Sequence, residues 1–298
     1  MVERLSEQGY LVMALDKTKF VDMARPLARS IRLFDPVRPV GLVYNEGSVS
    51  AASDLSDFDV AVHMPYSDKL VGIQNRFRLN KYTPFRKTML VDADCLMVKY
   101  GIEWYWRLFD ERPLAMLASK KSSGSWHGKD LTNMCEILKV PYVARGNAGV
   151  IYFEQSLTTD QIFDYMAETA LSYNEQISRI HRDRRGGFAS EPIIGAAFGA
   201  FGLEPQSALR GVGSLMITTW LARRCVFDLK LGVSYLEKPA GLWGNINHHL
   251  LAKRWVAHSP IFAHFIKLKP EPVYASLVDQ ISSLVTQNPE ERRNGWCS

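Results

Sequence analysis

Apolar residues along the first part of the chain follow two spacings, which predict strands and helices in turn. Residues 10–15 form a continuous apolar run, typical of a strand buried on both faces. Across residues 20–34 the apolar positions recur every three or four residues, which predicts a helix with one buried face. That helix should end before Asp35-Pro36, because the residue before a proline avoids helical geometry. Residues 40–44 return to a strand pattern, and this β-α-β order implies a parallel sheet with a right-handed crossover.

Further elements follow from the same spacings and from local start signals. Strands are predicted at residues 58–63, 88–91, 114–118, 147–153, 214–219 and 225–236, and helices at 68–82 and 102–109. Thr158 and Gln161 form a capping box for another helix, and Pro192 suits the first turn of a later one. Residues 119–130 are rich in lysine, serine and glycine, which predicts a mobile loop.

A single domain accounts for this pattern, because the sequence has no internal repeat, low-complexity tract or clean linker. We expect an α/β fold with a mostly parallel central sheet flanked by helices, spanning residues 1–286. Residues 287–298 are polar and are predicted to form a C-terminal tail.

Composition indicates a protein with a sizeable core and no membrane span. Of the 298 residues 47% are hydrophobic, yet no apolar run approaches the ~18 residues that a spanning helix needs. The start of the chain lacks the basic-then-apolar layout of a secretory signal. The four cysteines have neither zinc-site nor disulfide-framework spacing, which suits a reducing compartment. We therefore expect a cytoplasmic protein.

Positive charge is concentrated in one part of the sequence. Residues 179–269 carry 13 Lys/Arg and 5 Asp/Glu, a balance of +8, so with a net charge of +5 the rest sums to −3. Such a segment suits a polyanionic ligand, for example a nucleoside diphosphate, a nucleic acid or an acidic surface. The alternative is a solvated basic face.

Two carboxylates, those of Asp92 and Asp94, directly follow the strand predicted at residues 88–91. In open α/β sheets, ligands bind at the carboxyl ends of the strands. A turn just past the strand end lets both carboxylates reach one Mg²⁺ or Mn²⁺ ion, whose charge offsets their repulsion. The alternative is a solvated turn. Cys95, next in the sequence, is expected to be a buried thiol rather than a ligand.

The segment around this D-x-D resembles the central motif of GT-A glycosyltransferases, especially the glycogenin-like family 8 group. There, a helix ending in a basic and an aromatic residue leads into an apolar strand and then D-x-D. Here Lys81 and Tyr82 end the helix, and the strand runs into Asp92. The resemblance implies a GT-A, Rossmann-like fold, with Lys81 and Asp92 at a nucleotide-sugar donor and Asp92 and Asp94 on the metal.

A second match is the segment from residue 261 to 270, which is similar to the family's late His-aromatic…Lys-Pro motif. The resemblance implies that His264 is the third metal ligand and that Lys269 contacts the donor pyrophosphate. The family's glycine between His and Lys is missing and the spacing is one residue shorter, so Lys267 could share that role. The alternative is a surface histidine beside a proline turn.

Three further positions resemble parts of the family's site. Asn147 and Gly149 match its N-[SA]-G-V strand beside the transferred sugar, so the Asn147 amide could bind a sugar hydroxyl and Gly149 could allow close approach. Asp16 ends the first strand, where the base or ribose would bind; helix capping is an equal alternative. Glu191 matches an acidic residue near the acceptor, acting as general base or orienting group; otherwise it is a first-turn anion.

The order of these motifs implies a metal-dependent glycosyltransferase that uses Mn²⁺ or Mg²⁺ and a nucleoside-diphosphate sugar. The family resemblance favours a UDP-linked donor and retention at the anomeric carbon. A glycan or protein hydroxyl is the favoured acceptor. DNA with a hydroxylated, flipped-out base is the alternative, gripped by Arg182, Arg184 and Arg185. Two other functions remain as alternatives. One is a nucleotidyltransferase, although residues 16–20 lack the glycine-rich loop of that class. The other is a non-catalytic binding module, although the presence of both aspartates argues against it.

Overall fold

The computed structural model describes residues 5–50, 53–176, 189–207, 214–219, 224–239 and 253–286. Within these ranges, no helix has both the length and the apolar content needed to cross a membrane. Arg182, Arg184 and Arg185 and the predicted C-terminal tail at 287–298 lie outside them.

The described residues form strands, α-helices and two 3₁₀ helices. The strands are β1 Ser6–Ala14, β2 Val40–Tyr44, β3 Val60–His63, β4 Phe85–Val91, β5 Cys95–Met97, β6 Leu114–Ala115, β7 Ala118–Lys121, β8 Ser125–Trp126, β9 Lys129–Asp130, β10 Val143–Gly146, β11 Val150–Glu154, β12 Met216–Thr218, β13 Cys225–Asp228, β14 Val233–Pro239, β15 Lys253–His258 and β16 Phe262–His264. The α-helices are α1 Thr18–Phe34, α2 Glu103–Phe109, α3 Leu131–Leu138, α4 Leu157–Gln176, α5 Glu191–Ala200 and α6 Glu271–Thr286. The 3₁₀ helices are Gly72–Lys81 and Ile266–Leu268.

A six-stranded sheet in the order β3-β2-β1-β4-β11-β6 forms the centre of the fold. Strands β3, β2, β1 and β4 are mutually parallel, while β11 runs antiparallel to both β4 and β6. The predicted mostly parallel sheet is therefore confirmed. The parallel strands end at one edge, so the turns after β1 and β4 lie side by side.

The packing on the two faces of β1 explains why its sequence does not alternate between apolar and polar residues. Tyr10, Val12 and Ala14 pack into a core on one face of the sheet, with α1 and α6. Leu11 and Leu15 pack into a second core on the opposite face, with α4 and α5. Both faces are covered by helices at this point, so the run from residue 10 to 15 is apolar without alternation.

A smaller sheet lies behind the D-x-D turn. Strand β5, directly after the turn, pairs antiparallel with β16, and β16 pairs parallel with β12. This pairing joins the last third of the chain to the strand-end turn. The other late strands form an antiparallel β13-β14-β15 sheet.

Several predicted local elements need correction. Residues 119–130 are not a loop: β7 pairs with β10, and β8 with β9 in a hairpin. The strand predicted at 114–118 is split between β6 and β7, and the helix predicted at 68–82 is a 3₁₀ helix. The capping box at Thr158 is also wrong, because α4 starts earlier and Ser156 Oγ accepts a hydrogen bond from the Thr159 N–H at 3.1 Å.

Candidate active site

The D-x-D turn is held by backbone hydrogen bonds at the edge of the central sheet. The Asp92 N–H donates to the Gly149 carbonyl at 2.8 Å, and the Cys95 N–H closes the turn onto the Asp92 carbonyl at 2.9 Å. On the other side, the Phe265 N–H donates to the Asp94 carbonyl at 2.8 Å. Both carboxylates are therefore fixed by strands that meet at this point.

Strand pairing also brings His264 to the turn. In the β16–β5 register His264 lies opposite Cys95, and the residue is only 5% exposed. Its Nε2 is 3.1 Å from Asp94 Oδ1 and 3.9 Å from Asp92 Oδ2. The three side chains predicted as metal ligands are thus together, although His264 is about 170 residues downstream of the aspartates.

The chemistry of this group fits a hard divalent cation. Two carboxylate oxygens and a neutral imidazole nitrogen are suitable ligands for Mn²⁺ or Mg²⁺. The ligand atoms of Asp94, Cys95 and His264 all lie within 4.8 Å of one another. Burial, followed by the nearby Asp94 charge, raises the pKa of the Cys95 thiol well above its ordinary value. The neutral thiol is a weak ligand, which leaves the carboxylates and the imidazole as the coordinating set.

Gly149 makes room for the imidazole. A Cβ on Gly149 would lie 2.7 Å from His264 Nδ1 and 2.9 Å from both His264 Cε1 and Met216 Sδ. These distances are below any normal carbon contact, so only glycine leaves the ring in its place. The glycine is buried and lines neither cavity described below. Its close neighbour in this structure is therefore His264.

Arg76, which no sequence motif singled out, lies beside the turn. It is 3% exposed, and its guanidinium forms an ion pair with Asp92 Oδ1. Its Nη1 also donates to Ser190 Oγ at 3.3 Å, next to Glu191. Burial is the main cause that lowers the pKa of Arg76, opposed by the charges of Glu191 and Asp94. Since Arg76 holds Oδ1, it turns the other oxygen of Asp92 toward His264.

A first cavity of about 570 Å³ opens above this group. It extends from the three candidate ligands and Glu191 to the end of β1, and its far wall is formed by Met13, Leu15, Asp16, Lys17, Phe20, Met23, Gly72 and Ile73. This volume is within the range of small-ligand sites. The cavity therefore joins a cation site to the strand end where a nucleoside was expected.

Asp16 at that strand end is not a helix cap. The cap position of α1 is Lys17, without a side-chain capping bond. Asp16 has a left-handed φ of 71°, and its Oδ1 accepts from Asn45 Nδ2 at 2.9 Å while its N–H donates to Asn45 Oδ1 at 2.8 Å. This paired contact fixes the Asp16 carboxylate at the cavity wall.

A second cavity of about 670 Å³ lies beside the first. It is lined by Trp126, His127, Arg145, Gly146, Asn147, Glu191, Ile266, Lys267 and Lys269. Glu191 and Ile266 line both cavities, so the two meet there. Asn147, Lys267 and Lys269, all predicted from sequence, face the second cavity.

Backbone strain marks the two walls of the second cavity. Lys267 and Leu268 both have left-handed φ values, 58° and 57°, and His127 on the opposite wall has a φ of 51°. Such conformations cost of order 1 kcal/mol or more at non-glycine residues and are concentrated at functional sites. The family's glycine between the histidine and the lysine is missing from this chain, yet the backbone at Lys267 and Leu268 is left-handed.

Lys81 was predicted to bind the donor, but its side chain lies away from both cavities. Its side chain is 59% exposed and pairs with Asp164 at 2.9 Å, and it lines neither cavity. The arginines considered for a DNA acceptor, Arg182, Arg184 and Arg185, lie outside the described residues.

Comparison with known proteins identifies the fold. No protein-family model and no curated protein sequence matches the chain. Among solved structures, galactosyltransferase LgtC in complex with donor and acceptor sugar analogs matches 97% of this chain and 99% of its own, with a TM-score of 0.52 at 13% identity. The chain has the GT-A fold.

More distant GT-A structures match smaller parts of the chain. Mouse xyloside xylosyltransferase 1 matches over 72% of this chain and 89% of its own, with a TM-score of 0.43 at 12% identity. GlyE from Streptococcus pneumoniae TIGR4 matches over 67% of this chain and 45% of its own, with a TM-score of 0.40 at 11% identity. Sequence identity is too low to transfer residue roles, so roles rest on the residues of this chain.

Proposed function

We propose that this protein is a metal-dependent glycosyltransferase that moves a sugar from a UDP-linked donor to a hydroxyl group of a glycan or protein. One observation carries the proposal: Asp92, Asp94 and His264 converge at the floor of a cavity that reaches the end of β1, inside a GT-A fold. A cation site and a nucleoside-sized space joined in this way suit a nucleoside diphosphate.

The metal site is formed by Asp92, Asp94 and His264. A bound Mn²⁺ or Mg²⁺ ion supplies positive charge that stabilises the departing diphosphate. The chain contributes the preset geometry: strand pairing fixes His264, and Arg76 holds one oxygen of Asp92 so that the other faces the imidazole. Partners of this kind orient the ligands before the ion arrives.

Donor binding divides between the two ends of the first cavity. At the β1 end, Asp16 is positioned by Asn45 and accepts a hydrogen bond from a base N–H or a ribose hydroxyl. Beyond the metal end, Lys267 and Lys269 line the adjoining second cavity, close in sequence to Ile266, which lines both cavities, and they neutralise the pyrophosphate. Lys81 lines neither cavity and pairs with Asp164, so it is not assigned this role.

The transferred sugar lies where the two cavities meet, beside Asn147 and Glu191. Asn147 Oδ1 already accepts from the Gly149 N–H at 2.7 Å, which leaves the amide N–H groups to donate to a sugar hydroxyl. Glu191 lines both cavities, so its carboxylate faces the acceptor hydroxyl as well as the donor sugar. In the reaction, the bond from the anomeric carbon to the phosphate oxygen breaks with its electron pair on the diphosphate, and a bond to the acceptor oxygen forms. The acceptor proton passes to the Glu191 carboxylate or to the departing diphosphate.

Nucleotide release from UDP-sugars tests the proposal. Wild-type protein in Mn²⁺ should release UDP from at least one of UDP-glucose, UDP-galactose and UDP-N-acetylglucosamine, and EDTA should abolish release. Asp94→Asn removes a ligand charge and should reduce release to background. Asp279→Asn, an exposed position on α6, is the matched control and should behave as wild type.

Two outcomes would contradict the proposal. UDP release by Asp94→Asn in the presence of EDTA at the rate that wild type shows in Mn²⁺ would remove the metal from the reaction. Formation of UDP-sugar and pyrophosphate from UTP and a sugar 1-phosphate, with no UDP release, would identify a nucleotidyltransferase instead.

A further inference from the structure

The charges of the second cavity are unbalanced. Its lining includes three cationic side chains, those of Arg145, Lys267 and Lys269, and a single carboxylate, that of Glu191. Resting on the function proposed above, we infer that this cavity binds an acceptor sugar bearing a carboxylate or phosphate group, with Arg145 as the partner of that group.

Charge on the donor side leaves Arg145 without a role there. The carboxylates of Asp92 and Asp94 offset a divalent ion, and Lys267 and Lys269 offset the pyrophosphate. In the part of the chain that the structure describes, Arg145 forms no ion pair with any carboxylate. A guanidinium presents a planar set of donors that matches a carboxylate or phosphate, so an anionic acceptor group supplies the missing partner.

The backbone at Arg145 is rigid enough to position a ligand. Arg145 is in β10 and pairs with Ser119 of β7. A Cβ on the next residue, Gly146, would lie 2.4 Å from the Leu117 carbonyl oxygen, so β10 is packed tightly against that segment. A cation on a paired strand costs less to immobilise on binding than one on a free loop.

Trp126 gives this cavity a surface for a sugar ring. The indole lies in the β8–β9 hairpin and packs toward α5, where its Cζ3 would be 3.2 Å from a Cβ on Gly195. His127 and Gly128 form the hairpin turn, both with positive φ, 51° and 74°. Turns of that kind match the twist of the strands they join and hold the hairpin in one geometry. An indole offers a broad apolar face with a polar edge, which suits the amphipathic surface of a sugar.

A nucleic-acid acceptor fits this cavity less well. A flipped base could also stack on Trp126, but flanking phosphates require several cations along the backbone. Among the described residues lining the cavity, Arg145 is the only arginine or lysine not assigned to the donor. One cation beside one aromatic ring suits a single charged sugar.

Ligand-observed NMR on the full chain saturated with UDP and Mg²⁺ tests the inference with three sugar probes. Methyl β-glucuronide carries a carboxylate, glucose 6-phosphate carries a phosphate, and methyl β-glucoside is the neutral reference. At least one charged probe should bind wild-type protein at least tenfold more tightly than the neutral reference, and which one does so identifies the anion. Arg145→Gln should remove that preference, and Trp126→Ala should weaken all three probes to a similar degree. Arg107→Gln, an exposed arginine on α2 that lines neither cavity, is the matched control and should keep the preference.

UDP affinity, measured by calorimetry with Mg²⁺, separates this inference from the proposed function. Arg145→Gln and Trp126→Ala should bind UDP as wild type does. If wild type binds no UDP, the proposed function fails. If UDP binds normally but the three probes bind equally, or none binds, or Arg145→Gln keeps the preference, the acceptor inference alone is overturned. Tight binding of DNA carrying 5-hydroxymethylcytosine in place of the charged sugars would also overturn it.

Discussion

Replacing Gly149 with alanine separates the geometry of the metal site from the stability of the fold. The added Cβ would meet His264 Nδ1 at 2.7 Å and Met216 Sδ at 2.9 Å. Gly149 is not in the left-handed region, so the change adds bulk without adding backbone strain. The methyl group acts on the imidazole directly.

The expected magnitude follows from the contact distances. A normal carbon contact is about 3.5–4.0 Å, so the His264 ring must move by roughly 1 Å. Metal ligands tolerate displacements of only about 0.2 Å, so His264 would no longer coordinate well. We expect Mn²⁺ affinity to fall by about 10–100-fold, similar to the loss of a ligand-orienting partner, and unfolding free energy to fall by about 1–3 kcal/mol.

Manganese binding followed by the EPR signal of the free ion measures the first effect, and thermal unfolding measures the second. Gly9→Ala is the matched control, because its Cβ would meet the Phe85 ring at 2.6 Å, a comparable overcrowding. Gly9 lies five residues before Ala14, the last residue of β1, which is roughly 16 Å from that end of the strand at ~3.3 Å per residue. Gly9→Ala should lower stability and leave Mn²⁺ affinity unchanged.

The reasoning about His264 would be refuted by one pattern of results. If Gly149→Ala and Gly9→Ala lower the melting temperature equally and both bind Mn²⁺ as wild type does, the imidazole is not a ligand. Equal losses of Mn²⁺ affinity in both variants would instead show that the site responds only to general destabilisation.

The remaining predictions concern other residues of the site. His264→Ala should raise the Mn²⁺ concentration needed for UDP release at least tenfold with little change in melting temperature, since two carboxylates remain; an unchanged titration curve would assign His264 to structure. Arg76→Gln should weaken Mn²⁺-dependent UDP binding at least tenfold, because Asp92 loses its orienting partner. Lys81→Gln should leave the UDP affinity measured by calorimetry unchanged. A larger loss of UDP affinity in Lys81→Gln than in Arg76→Gln would contradict the placement of these residues. Lys267→Gly should be about 1 kcal/mol more stable than Lys267→Ala, about 1–2 °C in melting temperature, since only glycine relieves the φ of 58°; equal melting temperatures would show that no strain is stored there.

The parallel half of the fold was predictable because its signals are local. The apolar run at 10–15, the helical spacing of α1 and the strand at 40–44 each report burial by nearby layers, and β2 has the predicted bounds. The D-x-D site was predictable for the same reason, since it directly follows a buried strand. His264 needed the family resemblance, because the β16–β5 register that places it depends on contacts distant in sequence.

Other features had no readable signal in the sequence. Arg76 lies in the polar string Gln74-Asn75-Arg76, which has the composition of a solvated helix face, yet all three are buried. Its burial depends on Asp92 and Ser190, which only the folded chain brings near it. The β8–β9 hairpin was missed because its turn is His127-Gly128 rather than Asn-Gly or Asp-Gly, the usual signals.

Gly149 has a close neighbour in the structure that the family resemblance did not imply. The resemblance implied close approach of its backbone to the transferred sugar, and the structure shows the close approach of His264. Both readings require a residue without a side chain, so the sequence could not separate them. Packing around a buried imidazole is visible only in three dimensions.

The most direct measurement of the central claim is the position of manganese in crystals grown with Mn²⁺ and UDP. The account predicts an anomalous scattering peak coordinated by Asp92, Asp94 and His264 Nε2, with the UDP phosphates on the same ion and the uridine near Asp16. A peak at another position, or UDP bound in this cavity with no metal peak although Mn²⁺ is present in excess, would contradict the account.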